Sequence, residues 1–514
     1  MVELGEKDLS LNDMILLLFK GHEIGLSEKA LKKTKESFVF LKDFSSGKLI
    51  YGINTGFGPM AQYKIADKDL QQLQFNLIRS HCAGSGALIS DTDTKALMIA
   101  RLSSLMKGYS GISNDLLNTL KELINKNITP CIYEHGGVGA SGDLVQLAHL
   151  ALALIGEGEV RHEGRQYSSA EVFKKESIKE VAIHQREGIA LLNGTSAMTG
   201  IAAVNLIYAK KLINWSVLIS TSINELVEAF DDHFSEELNA VKLHHGQIRV
   251  AKAMSEIVAD SQMIRKRTDH LYQGSKIEVD IVEEKVQEYY SLRCVPQILG
   301  PIFDTIAEAE KVVMHEVNSV NDNPIIDSKN KNIYHGGNFH GDYVALEMDK
   351  LKIAITKLAM LAERQLNFML NDKLNQKLPP FINLGKLGLN YGAQGMQFTA
   401  TSTVAECQTL SMPTYIHSIP NNNDNQDIVS MGANAALLAR KVINNSFEVI
   451  AIQAIGLIQA IEYVNCSEKL SSPARKLYQD LRSICPKFVD DRPLFKDIRQ
   501  VTSYLKEQDI NLFE

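Results

Sequence analysis

Three long runs of apolar residues at helical spacing constrain this chain more than any other feature of its sequence. Between residues 200 and 231, apolar side chains recur at 201, 204, 207, 208, 212, 215, 218 and 219, the spacing of a helix face. Residues 343–370 carry Leu346, Leu351, Ile355, Leu358, Leu361 and Leu366 in the same manner. Residues 447–464 are apolar on nearly every side, interrupted by Glu448, Gln453, Gln459 and Glu462. A helix of that kind lies inside something, against other helices or other subunits. Helices much longer than about 20 residues point to a bundle.

The rest of the chain fits that frame. Proline is scarce (12 in 514 residues) while glycine is not (33, many clustered), which suggests long helices joined by a few glycine-rich loops. Residues 8–46, 68–82 and 93–107 continue the helical pattern, and strand signals are limited to 128–133 and a hairpin over 159–167. The expected fold is mainly α, a long central helix bundle with a smaller mixed, glycine-loop-rich N-terminal part. The expected division is 1–199, 200–465 and 466–514, the last a helical cap.

Composition excludes several functions. A net charge of −7 without a basic cluster argues against nucleic acid. Six cysteines with no C-x-x-C pair suggest neither a zinc site nor a disulfide scaffold. The start of the chain is charged and lacks a secretory h-region. No uninterrupted apolar run reaches the roughly 18 residues of a membrane span. A soluble cytoplasmic protein with no metal is expected.

The most informative segment is His135-Gly136-Gly137-Val138-Gly139-Ala140-Ser141-Gly142-Asp143. From Gly137 it matches G-x-G-x-x-G, and Glu157 and Glu159 lie near the position of a ribose-binding acid. A dinucleotide site would need alternating strands and helices, which the chain lacks, so no nicotinamide is expected. The plainer reading is a glycine-rich turn capping a helix, with Asp143 near its N-terminus.

Gly137-Val-Gly-Ala-Ser-Gly-Asp-Leu-Val-Gln-Leu-Ala-His resembles the aromatic amino acid ammonia-lyases, the family of histidine, phenylalanine and tyrosine lyases. The resemblance runs through at least five motifs over essentially the whole chain. It implies that Ala140, Ser141 and Gly142 cyclise to 4-methylidene-imidazol-5-one, an electrophile that ordinary side chains do not supply. Tyr51, in Tyr-Gly-Ile-Asn-Thr-Gly-Phe-Gly, resembles the base that removes the β-proton. Asn193 corresponds to a contact with the prosthetic group and substrate. Gln287, Tyr290 and Arg293 fall at i, i+3 and i+6, roughly one helical face. By resemblance Arg293 grips the substrate carboxylate, Tyr290 assists the chemistry and Gln287 orients them, all three coming from a neighbouring subunit. Asn321-Asp-Asn-Pro and His335-Gly-Gly-Asn-Phe-His read as turns, and Phe339 corresponds to the residue that sandwiches the substrate. The family implies a homotetramer with shared active sites.

The substrate markers are mixed. Ser80-His81 matches the pair of histidine lyases. Asn421 to Met431, with Gln426 followed by Asp427 and with Asn422 four residues before Gln426, matches the tyrosine branch. Histidine lyases carry Glu immediately after the matching Gln. The combination resembles bacterial tyrosine ammonia-lyases and implies conversion of L-tyrosine to trans-4-coumarate and ammonia. Conversion of L-histidine to urocanate and an aminomutase reaction are the alternatives. A catalytically dead scaffold is opposed by the intact Tyr51, Ser141, Tyr290 and Arg293.

Overall fold

The computed structural model describes residues 1–272, 280–282 and 285–513. Among them helices dominate. The three sequence runs are helices Ser196–Leu226, Asp342–Leu370 and Gly432–Val464. The strands are short pairs: Val2–Leu4 with Ile24–Leu26 in parallel, Ser85–Leu88 with Tyr133–His135, Ile325–Asp327 with Asn332–Tyr334, and Thr129–Pro130 beside the hairpin Glu159–His162/Arg165–Ser168. The parallel pair near the N-terminus, Ser85–Leu88 and the pair Ile325–Asp327/Asn332–Tyr334 were not legible in the sequence, because each strand has only three or four residues.

The chain forms two compact units. One comprises Met1–Ile207, Ala309–Asp349 and Pro413–Ala439. The other comprises Tyr208–Glu308, Lys350–Met412 and Arg440–Glu514.

In the first unit, helix Asp91–Met106 is buried over nearly its whole length. Ser90 caps it by accepting from the Asp93 amide. Helix Leu70–His81 buries Gln74, Leu77 and Ile78, and the Gln74 amide oxygen accepts from the Ile189 amide at 3.0 Å. These contacts fix the helix that ends in Ser80 and His81 against the short helix Glu187–Leu192, which leads into Asn193.

In the second unit the buried part of Gly432–Val464 explains the apolar run. Phe447, Ile450, Ile452, Ile455, Leu457 and Ile458 are fully buried, each contributing roughly 1.5–3 kcal/mol on burial. The four polar interruptions all have partners. Glu448 accepts from Thr403 and Glu462 from Tyr478; Gln453 donates to Gln365, and Gln459 donates to the Phe488 carbonyl. A buried amide without such a partner is costly. The helix is long and apolar enough to cross a membrane, but 78% of its most apolar window is buried inside the protein. Past Cys466, helices Ser472–Ile484 and Phe495–Glu507 are pinned by buried polar groups. Glu225 accepts from the Ser471 amide at 2.7 Å, and the Trp215 indole donates to the Leu505 carbonyl at 2.8 Å.

Candidate active site

The glycine-rich segment forms a tight turn between strand Tyr133–His135 and helix Leu144–Leu154. The Gly139 amide donates to the Gly142 carbonyl at 3.2 Å. Gly142 has φ of +75° and lies against Gly194, whose carbonyl accepts from the Asp143 amide at 2.8 Å. A Cβ on Gly142 would stand 2.0 Å from that carbonyl oxygen. A Cβ on Gly194 would stand 2.2 Å from Nη1 of Arg101. Glycine is therefore required at both positions. The loop rests on Gly194, and Gly194 rests on a buried guanidinium.

That guanidinium belongs to a charged group the sequence did not reveal. Arg101, Arg186 and Asp322 are all fully buried, with Asp322 at 3.9 Å from Arg101 and 3.1 Å from Arg186. Arg101 also donates to the Asn321 side-chain oxygen at 3.2 Å. Burial lowers the Arg101 pKa to about 10 against the attraction of Asp322. Asn321 and Asp322 are thus buried ligands for two arginines.

Asp143 also departs from its sequence reading. It makes no side-chain cap on its own helix. Its carboxylate accepts from the Met198 amide at 2.8 Å, in the first turn of helix Ser196–Leu226. Burial pushes this carboxyl up to about 7. Further contacts hold the loop's other side: Ser430 Oγ donates to the Gly139 carbonyl at 3.0 Å and the Gly341 amide donates to it at 3.1 Å.

Ser141 faces a cavity of about 660 Å³. Two side-chain amides converge on it. Asn193 Nδ2 donates to the Ser141 carbonyl oxygen at 3.1 Å, and Gln426 Nε2 donates to Ser141 Oγ at 2.8 Å. Tyr51 lines the same cavity, its Oη accepting from the Gly58 amide at 3.2 Å and its ring edge-on to Phe57. Phe339, half-buried, and Asn422, exposed, also line it.

Ser80 and His81 end helix Leu70–His81 and line the cavity. His81 Nδ1 lies 2.9 Å from the Leu77 carbonyl oxygen and 3.1 Å from Ser80 Oγ. A carbonyl only accepts, so Nδ1 carries the hydrogen. In the neutral ring Nε2 is then left as an acceptor. Among the described residues, the cavity lining includes neither Asp or Glu nor Lys or Arg. Its ionisable side chains are Tyr51 and His81.

Gln426 is presented by an unusual turn. The backbones of Asn421 and Gln426 exchange hydrogen bonds of 3.0 and 3.1 Å. Between them Asn422, Asn423 and Asp424 have φ of +54°, +56° and +59°. That region costs most residues about 1–2 kcal/mol each, and Asn and Asp adopt it most readily. The asparagine-rich run is therefore a left-handed turn closed at its base.

Gln287, Tyr290 and Arg293 line a different cavity, of about 750 Å³, in the second unit. The expected helical face is not formed: only Tyr290–Arg293 is helical, a single turn, because Tyr289 is extended (φ −62°, ψ 155°) and ends the helix on its N-terminal side. Tyr290 is 70% exposed. The Arg293 guanidinium lies 4.8 Å from the centre of its ring. Arg293 Nε is buried without a hydrogen-bond partner among the described residues. Lys285 and Arg364 line this cavity too. The segment is anchored by Glu288, which pairs with Arg265 at 3.7 Å and Lys285 at 3.6 Å; burial raises the Glu288 pKa against the pull of Lys285 and Arg265.

Comparisons with known proteins agree on the family and divide between two reactions. The family model described as aromatic amino acid lyase matches residues 9–483. A tyrosine 2,3-aminomutase of Myxococcus sp. (strain Mx-B0) is 40% identical over 464 residues, 89% of this chain and 88% of that protein. A histidine ammonia-lyase of Shouchella clausii (strain KSM-K16) is 38% identical over 508 residues, 98% of each. The crystal structure of tyrosine aminomutase from Streptomyces globisporus superposes with a TM-score of 0.94 at 33% identity, covering 99% of both chains.

Proposed function

This chain belongs to the aromatic amino acid lyase family, and on that premise we propose that it is a carbon–nitrogen lyase removing ammonia from L-tyrosine to give trans-4-coumarate. The observation that carries the choice of substrate is the lining of the Ser141 cavity, which among the described residues includes no Asp or Glu. An imidazole ring gains most from a carboxylate, which makes a charge-assisted hydrogen bond with it. Asp427, the acid nearest Gln426 in sequence, is exposed and is not among the lining residues. A phenol needs one neutral acceptor, and His81 Nε2 supplies it. Sites that hydrogen-bond a hydroxyl discriminate strongly against the analogue lacking it.

Ala140, Ser141 and Gly142 fit the formation of 4-methylidene-imidazol-5-one. Gly142 has no side chain to obstruct ring closure, Ala140 is small, and the turn is clamped on both sides. Once formed, the group supplies an electrophilic methylene for the substrate amine. Asn193 holds the Ser141 carbonyl. Tyr51 takes the β-proton at Oη, where the Gly58 amide steadies the oxygen as an acceptor. Phe339, Ser80 and Asn422 enclose the aromatic ring. Arg293 clasps the substrate carboxylate with its planar fork and unpartnered Nε. Tyr290 and Gln287 act beside it.

Among the described residues the Ser141 cavity has no lining Lys or Arg for a carboxylate, which supports taking Gln287, Tyr290 and Arg293 from a neighbouring copy. The working enzyme is then a soluble, cytoplasmic homotetramer with shared sites. A second reading, a tyrosine aminomutase that returns ammonia to the β-carbon, is favoured by the 40% identity to the Myxococcus enzyme.

Purified protein offered tyrosine, phenylalanine and histidine separately decides among these. Coumarate from tyrosine, followed by ultraviolet absorbance, is expected to form fastest. Urocanate forming faster would overturn the choice of substrate, and β-tyrosine would establish the mutase.

A further inference from the structure

Two donors are aimed at Ser141, and they meet different oxygens. Asn193 Nδ2 reaches the carbonyl oxygen, and Gln426 Nε2 reaches Oγ. The second contact has no use in the finished reaction, because forming the prosthetic group removes Oγ from the chain. It belongs to the chain before that change. We propose that Gln426 is a catalytic residue of the protein's own maturation, donating a hydrogen bond to the hydroxyl that Ser141 expels. This rests on the reading above that Ala140-Ser141-Gly142 cyclises.

The chemistry has two dehydrations. In the first, the Gly142 nitrogen bonds to the Ala140 carbonyl carbon. The Ala140 oxygen leaves as water with the hydrogens of the Gly142 and Ser141 amides, leaving a carbon–nitrogen double bond to Ser141 N. In the second, the Ser141 Cα–H bond breaks and its proton passes to water in the cavity. Its electron pair becomes the Cα–Cβ double bond. The Cβ–Oγ bond breaks with its pair on oxygen, which takes a proton from water and departs as water. No oxidant or reductant is needed.

The two amides suit the two ends of that second step. Asn193 draws electron density toward the Ser141 carbonyl, which acidifies the adjoining Cα–H. Gln426 meets the negative charge that develops on the leaving oxygen. A donor fixed in advance at an atom that gains charge is a large source of acceleration. The left-handed turn over Asn422, Asn423 and Asp424, closed by the Asn421–Gln426 hydrogen bonds, is what fixes it. When Oγ has gone, the same amide is freed to face the substrate.

The test is a time course of intact mass on the full chain made by cell-free synthesis, comparing wild type with Gln426→Glu and Gln426→Leu. Gln426→Glu keeps the shape and removes the N–H donors. Circular dichroism reports whether each variant keeps the helical fold. The wild type should reach a deficit of two waters. The folded variants should reach it roughly a hundredfold more slowly, with a one-water species accumulating. A folded Gln426→Glu chain losing both waters at the wild-type rate overturns the proposal. A wild-type chain that loses no water overturns the cyclisation reading itself, a separate result.

Discussion

The two cavities differ in how their chemistry is assembled. The Ser141 cavity draws on stretches from Tyr51 to Gln426, and its central polar groups are held by named partners: Ser141 by Asn193 and Gln426, Tyr51 by Gly58, His81 by Leu77. It is neutral. The Arg293 cavity draws mainly on one short stretch and part of helix Asp342–Leu370, is lined by Lys285, Arg293 and Arg364 together with Glu288, and leaves Tyr290 exposed and Arg293 Nε without a partner among the described residues; Lys285 pairs with Glu288 and Arg364 with Glu363. The first is the pocket proposed to take the aromatic ring and to carry the Ser141 chemistry. In the second, Arg293 is the residue proposed to meet the substrate carboxylate. The proposed reaction calls on both, an aromatic pocket and a carboxylate clamp.

The largest expected effect removes what only the neutral cavity has. Ser141→Ala should abolish turnover while circular dichroism shows the helical fold retained; unchanged turnover would end the mechanism. Next is the division of labour between cavities. Tyr51→Phe and Arg293→Met should each be nearly inactive. Unfolding them together and refolding as mixed oligomers should recover activity, because some sites then combine an intact Tyr51 with an intact Arg293 from another copy. Failure to recover activity, with mixed assembly verified, would place the two groups in one chain.

A smaller effect concerns the ring. His81→Phe should lower kcat/KM for tyrosine by roughly 1–3 kcal/mol, the cost of an unmet hydroxyl, and raise it for phenylalanine. An equal loss for both substrates would mean that His81 does not read the hydroxyl.

The smallest effects are on stability, and they have opposite signs in the two units. Asp143 is pushed up from 3.8 to about 7 by burial. The native state keeps its proton where the unfolded chain has released it, so this contribution to stability falls as pH rises from about 4 to 7. His233, in the second unit, is pushed down from 6.5 to about 4, also by burial. There the unfolded chain binds the extra proton, so stability rises with pH over roughly that window. In Tm measured against pH, Asp143→Asn should remove the falling contribution and His233→Gln the rising one. Unchanged profiles would mean that neither group titrates differently on folding.

Much of this was legible in sequence, and most of what escaped is non-local. The long helices were readable because each carries its own periodicity, and residues 447–464 announced their burial by lacking a polar face. The motifs carried by Tyr51, Ser141, Arg293 and Gln426 were readable through family resemblance. Non-local partnership was not. Asp143 looks like the cap of its own helix, yet serves one that begins more than fifty residues later. Arg101 bonds to Asn321, 220 positions away, and nothing near either residue signals it. Spacing at 287, 290 and 293 implied a helical face, but an extended Tyr289 limits the helix to one turn. Nor could the sequence show that the Ser141 cavity would be free of charge, since that depends on which residues are kept out of it.

The contact between Gln426 and Ser141 Oγ carries one further consequence. A serine that loses its hydroxyl as water does not regain it on refolding. In the proposed maturation the geometry around Ser141 is therefore used once in the life of each molecule, and a denatured mature chain would start its second folding from a different covalent structure than its first. Two samples with one genetic sequence can thus differ in history, and refolding experiments on this protein must state which chain they begin with.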